Sequence, residues 1–141
     1  MTVEEREAFL AGVHVGVLSI TDPGHGPLTV PVWYRYEPGG VVTVMTGRAS
    51  RKGRRLRPGE RVSVCAQTET APYQYVSVEG PVVAVEDGVD EAERRALAER
   101  YLGVEVGALY LEATAATAAE DITVRIQPER WWTVDYRKQF A

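Results

Sequence analysis

Thr46-Gly-Arg-Ala-Ser-Arg-Lys-Gly-Arg-Arg-Leu56 joins an alternating apolar segment to a short basic one, and its reading decides how the rest of the chain is understood. No acidic residue occurs between Glu37 and Glu60, whereas Arg48, Arg51, Lys52, Arg54, Arg55 and Arg57 all fall there. Six of the chain's 16 Lys and Arg therefore sit within ten positions of a protein whose formal net charge is −4. Residues 41–46 alternate like a strand, Gly47 and Ser50 prepare a turn, and Pro58 closes the short helix expected between them. Ser50 is a natural N-cap, which leaves free backbone N–H groups at the helix start. Free amides, a positive helix end and flanking Arg and Lys together make an anion site suited to a phosphate. The plain alternative is a solvated basic turn.

Composition narrows the remaining choices. One domain, residues 1–141, is expected, and a chain of this size buries roughly 70% of its unfolded surface without disulfides or metals. The single Cys65 excludes an intramolecular disulfide and suits a reducing compartment. It lies in the alternating run 61–67 and reads as a small strand side chain. The charged opening Met1-Thr-Val-Glu-Glu-Arg-Glu7 has no apolar run, so no secretory leader is expected. No segment has the length and apolarity of a membrane span. A cytoplasmic protein without a membrane partner is expected.

Working outward from the basic turn, residues 2–11 read as an amphipathic helix with Thr2 as cap and Glu5 completing a capping box. Strands are expected over 13–20, 28–37, 41–46, 61–68, 73–86 and 121–128, separated by turn-rich stretches such as 21–27. In 28–37, Val30, Val32, Tyr34 and Tyr36 share one face, and Pro31 marks an edge or an interruption with backbone groups left for a ligand. Gly80-Pro81 marks a bend in the longest strand, as where a sheet curls. Residues 89–102 read as a helix with an i, i+4 pair of Glu91 and Arg95, ended by Gly103. Val106, Leu109, Tyr110 and Ala113 mark the apolar face of a second helix. Pro128 breaks the pattern before Arg130. The fold class expected is mainly β with peripheral helices, a barrel of about six antiparallel strands.

Metal chemistry has little support, with only His14 and His25, no Cys pair and no ligand spacing. His14 reads as a strand histidine. No nucleophile elbow, Walker motif or dinucleotide fingerprint occurs. Nucleic acid is weighed down as a partner because the basic run is short, lacks interleaved aromatics and sits in a chain of pI about 5.3. A compact phosphate fits better, and aromatics at Trp33–Tyr36, Tyr73–Tyr75 and Trp131–Trp132 offer apolar walls when not used in packing.

The order Pro31-Val-Trp-Tyr34, Thr46, Ser50-Arg-Lys52, Leu56 and Tyr75-Val-Ser-Val-Glu-Gly80 resembles the pyridoxamine 5'-phosphate oxidase-like, flavin-binding split-barrel family, including its coenzyme F420-dependent branch. The resemblance implies a split β-barrel in which Ser50, Arg51 and Lys52 grip a cofactor phosphate. Thr46 would then lie near the ring or ribityl chain, and Pro31, Val32 and Trp33 would line the ring. Arg54, Arg55 and Arg57 would suit the longer anionic tail of F420, which is favoured slightly over FMN. It further implies a homodimer with cofactor sites at the interface, completed by Tyr75 or Trp131 of the partner. Gln74-Tyr75 stands where the true oxidases carry an Arg-Gln pair, and their C-terminal substrate segment is not recognisable, which argues against pyridoxamine phosphate as substrate. The function implied is hydride transfer between F420 or FMN and a small organic molecule. No catalytic residue is singled out: Tyr75, Tyr34 and His25 are all possible proton donors. A cofactor-binding module without turnover and a nucleic-acid-binding regulator acting through the basic loop are the alternatives.

Overall fold

Alternation of Val76 and Val78 with polar neighbours makes the longest strand one-sided, and both valines are buried in the core. The computed structural model describes residues 1–140. Its elements run α1 (Val3–Ala11), β1 (Gly16–Ile20), β2 (Leu28–Val32), β3 (Arg35–Tyr36), β4 (Val42–Gly47), α2 (Arg51–Arg55) and β5 (Arg61–Gln67). They continue with β6 (Gln74–Asp87), α3 (Glu91–Ala113), α4 (Ala115–Ala118), β7 (Asp121–Ile126), β8 (Arg130–Asp135) and a 3-10 turn (Tyr136–Gln139). Every pairing is antiparallel, in the order β2-β1-β5-β6-β7-β4-β3, with β8 also on β6.

Strand β6 belongs to both halves of a split barrel. Its residues 75–81 pair with β5 and 74–79 with β8, whereas residues 82–87 pair with β7. The register to β7 shifts between Val82 and Ala84, so the strand bends just after Gly80-Pro81, as expected. A Cβ on Gly80 would lie 1.7 Å from the backbone oxygen of Gln127, because the β7–β8 connection crosses directly over it. Only glycine fits there.

The segment 28–37 is not one strand. β2 pairs with β1 and β3 with β4, and Trp33-Tyr34 carries the chain from one half of the barrel to the other. Curling the sheet separates the two partners, so a straight strand cannot serve both. Pro31 lies on the outermost strand opposite Val17, where a residue without N–H is tolerated. Residues 130–135, after Pro128, add an eighth strand beyond the six expected.

Leu10, Leu18, Tyr34, Val64 and Val124 are fully buried inside the barrel, each aliphatic side chain contributing about 1.5–3 kcal/mol. Helix α1 closes one end. Thr2 and Glu5 form its capping box, and the Tyr34 hydroxyl donates to Leu10 O at 2.6 Å. His14 is not in a strand: its ring stacks on Phe9 at 4.3 Å, and Nε2 meets Phe9 O at 3.0 Å.

Helix α3 lies outside the barrel and is broken at Gly103, whose φ is +80°. The expected second helix is its distal half. Leu111 and Gly107 turn inward, while Val106 and Leu109, read from sequence as its apolar face, are 53% and 67% exposed. No helix of the described residues is long and apolar enough to cross a membrane.

Candidate functional site

The turn from β4 into α2 is built as its residues require. Ser50 Oγ accepts from Gly53 N at 3.0 Å and donates to Gly47 O at 2.7 Å. Its hydrogen being thus used, the Thr46 hydroxyl is the donor in their 3.2 Å contact. A Cβ on Gly53 would lie 2.1 Å from Gly47 O, so this tight wrap depends on glycine. Ser50 caps the helix as its type predicts, and its hydroxyl is fully engaged in doing so.

Beside this turn opens a cleft of about 350 Å³ between the end of β2, strand β4 and α3. Of the residues singled out in the sequence, Pro31, Val32, Trp33, Thr46 and Lys52 line it together. The others lie elsewhere. Arg51 pairs with Asp22 across the outer side of α2. Arg55 donates to Thr21 O at 3.2 Å. Arg48 pairs with Asp87 at 2.8 Å. Tyr75 stands on β6 between Gln67 and Val134. The basic run is thus divided, and Lys52 is the member that faces the cleft. Among the described residues its ammonium has no carboxylate within salt-bridge distance, 4.0 Å.

The opposite wall is aromatic. Trp33 stacks on Tyr101 at 5.0 Å and 5°, and meets Tyr110 at 5.1 Å. Of the backbone groups at the strand break, those of Tyr34 are taken up by Tyr101. Tyr34 N donates to the Tyr101 hydroxyl at 3.0 Å, and that hydroxyl reaches His14 O at 2.7 Å. Tyr34 itself is withdrawn from any role as proton donor in the cleft: burial pushes its phenol well above the usual range, and its hydroxyl is spent on Leu10.

Helix α3 supplies what sequence reading missed: Arg94, Leu97, Ala98 and Tyr110 line the cleft, with Thr114, Thr117 and Asp121 following them in the chain. Arg94, not Arg95, pairs with Glu91, at 2.9 Å. It is buried and also donates to Leu111 O at 2.9 Å and Thr114 Oγ1 at 2.8 Å, tying the two halves of α3 together. Arg125 of β7 clamps the helix to the sheet by bonding both oxygens of Glu93, at 2.9 and 3.1 Å. Asp121 is half-buried, and burial raises its carboxyl above the ordinary value although Arg94 and Lys52 act in the opposite direction. A larger depression of about 610 Å³ beside the helices holds none of the residues read from the sequence as cofactor-binding.

On the outer sheet face a row runs Pro31, Val17, Cys65, Ser77, Trp132, each opposite the next. Trp132 is 53% exposed there. Trp131, expected from sequence to reach a partner, points the other way, with Arg6 over its ring at 4.6 Å and Tyr36 against its edge. Burial pushes the Cys65 thiol up, away from thiolate reactivity.

A family model described as pyridoxamine 5'-phosphate oxidase matches residues 2–135. No curated protein matches the chain. An F420 reductase structure is similar at 20% identity and a TM-score of 0.71, over 89% of this chain and 94% of its own. A conserved hypothetical protein from Mycobacterium tuberculosis is similar at 23% identity and 0.76, over 100% and 89%. An FAD-binding protein from Mesorhizobium loti is similar at 19% identity and 0.61, over 94% of each chain. At these identities the structures speak for the fold.

Proposed function

The chain belongs to the pyridoxamine 5'-phosphate oxidase family, and from that premise we propose that it is a homodimeric oxidoreductase holding coenzyme F420 or FMN in the cleft, with F420 preferred. The observation that carries this reading is Lys52: an ammonium with no carboxylate partner among the described residues, in a cleft also walled by Trp33. A cation facing a planar apolar wall fits a phosphorylated ring cofactor, and the cleft lies within the roughly 300–1,000 Å³ range of small-molecule sites. The F420 reductase and the FAD-binding protein of similar fold add support.

When bound, the cofactor supplies the hydride chemistry. The chain's own residues position it. Lys52 gives the phosphate a charge-assisted hydrogen bond. Thr46, in the same lining, would orient the chain between phosphate and ring. Pro31, Val32 and Trp33 exclude water from one face of the ring. Ser50 acts by shaping the turn, and Arg51 and Arg55 by holding α2 against the 21–27 loop. The apolar row through Val17 and Trp132 is the face on which a second copy would dock, bringing its Tyr75 towards the site. Gln74-Tyr75 in place of an Arg-Gln pair argues against pyridoxamine phosphate as the substrate.

A second reading is cofactor binding without turnover, since Lys52, Thr46 and Trp33 would hold a cofactor whether or not it reacts. Nucleic acid is left aside because Asp87 and Asp22 neutralise Arg48 and Arg51. The test is an absorbance spectrum of the purified protein, followed by fluorescence titration with FMN and F420 and an assay for reduction of acceptors. Micromolar or tighter binding is expected for at least one. Binding of neither would overturn the reading, and binding without any turnover would leave the second.

A further inference from the structure

The phosphate end of the cleft carries a negative charge as well as a positive one. Asp121 opens β7 opposite Gly47 of β4. Its Oδ1 lies 3.9 Å from the point a Cβ on Gly47 would occupy, and Ser50 Cβ lies 4.0 Å from that same point. The carboxylate is therefore directed at the β4–α2 turn. Its backbone oxygen accepts from Gly88 N at 3.0 Å, but among the described residues its side chain has neither hydrogen bond nor ion pair.

The groups that face it are Lys52 from α2 and Arg94 from α3. Arg94 is balanced by Glu91 and occupied with Leu111 and Thr114. Arg54 and Arg57 line a different depression with Arg48. Among the described residues, what remains without an ion-pair partner at this end of the cleft is one ammonium and one carboxylate.

Resting on the cofactor reading above, we infer that Asp121 is a specificity-determining residue that makes the cleft select a singly charged phosphodiester over a doubly charged phosphate monoester. The attraction of a charged site grows in proportion to ligand charge, whereas the cost of stripping water from the ligand grows with the square of that charge. Asp121 subtracts from the potential set up by Lys52. A monoester, at about −1.5 to −2 near neutral pH, then pays the larger desolvation cost against a weakened field. A diester does not. At the phosphate itself F420 presents a diester and FMN a monoester, so at this end of the cleft Asp121 favours the former, whatever the anionic tail of F420 meets elsewhere.

The experiment compares Kd values of FMN, F420 and uncharged riboflavin for the wild type, Asp121→Asn and Asp121→Glu by fluorescence titration. Asp121→Asn is expected to tighten FMN at least about tenfold, F420 by a smaller factor and riboflavin not at all. Asp121→Glu, which keeps the charge, is expected to keep the wild-type ranking. Equal shifts for all three ligands, or no shift for FMN, would overturn the proposal. So would a wild type that binds FMN more tightly than F420, although the oxidoreductase reading would survive that result. Failure of every protein to bind FMN or F420 would overturn both.

Discussion

Arg51 and Lys52 are adjacent in sequence and opposite in circumstance. Successive residues on a helix point about 100° apart, so Arg51 falls on the outer side of α2 against Asp22 while Lys52 turns into the cleft. An exposed pair such as the first contributes at most about 1 kcal/mol, and Arg51→Ala should leave ligand affinity nearly unchanged. Lys52→Ala should weaken cofactor binding about 10- to 100-fold, since a hydrogen bond to a charged group is worth about 1.5–3 kcal/mol. Fluorescence titration of the two variants side by side checks this, and wild-type affinity in Lys52→Ala would remove it from the site. His14 makes a separate prediction about pH. Burial lowers its pKa below the ordinary 6.5, so the unfolded chain takes up a proton that the folded chain resists. Its stabilising contribution is complete above that value and is lost as pH falls through it towards the lower folded value. The thermal midpoint should therefore fall between about pH 7 and 5 more steeply in the wild type than in His14→Gln; parallel profiles would show that His14 has no part.

At the scale of elements, α3 buries Leu97, Ala98 and Leu111 outside the barrel's own core cluster, and polar side chains tie it to the barrel. The barrel core contains no residue of α3. Instead Arg125 grips Glu93, Arg100 donates to Ala11 O at 2.9 Å, and the Tyr101 hydroxyl meets the strand break. The arrangement leaves open space between helix and sheet, and that space is the cleft. Tyr101→Phe keeps the ring stacked on Trp33 but leaves Tyr34 N without its partner. The expected loss of stability is about 1–3 kcal/mol, read as a lower midpoint in urea with an unchanged slope. A cost near zero would mean that water replaces the hydroxyl. Cofactor affinity should change little, because the ring that stacks on Trp33 is retained.

For the whole molecule, the row across β2, β1, β5, β6 and β8 leaves Val17 and Trp132 exposed on the outer sheet face. Val17 is 38% exposed between Pro31 and Cys65. On the proposed reading this face is covered by a second copy. Light scattering should give twice the chain mass for the wild type. Val17→Asp, which places an unpaired charge on this face, should shift the protein to the monomer and weaken the cofactor site in step. A wild type that is monomeric at micromolar concentration would overturn the dimer.

The sequence by itself determined the pieces whose cause is local. The capping box of Thr2 and Glu5, the Ser50 cap, the Gly103 break and the burial of Ile122, Val124 and Ile126 all follow from residue type and period, which act within a few positions. The succession of strands and turns pointed to a barrel, and family resemblance extended this to five of the residues that line the cleft. The tertiary structure decided what depends on closure. The division of 28–37 into two strands exists because its halves pair with β1 and β4, which are distant in sequence. Pairing of β8 with β6 and the outward turn of Val106 and Leu109 have the same origin. Asp121 and Arg94 carry no local signal, because a carboxylate or guanidinium looks the same on a solvated face as in a cleft. Their meaning comes from where β7 and α3 place them relative to Lys52, and only folding brings those three charges together.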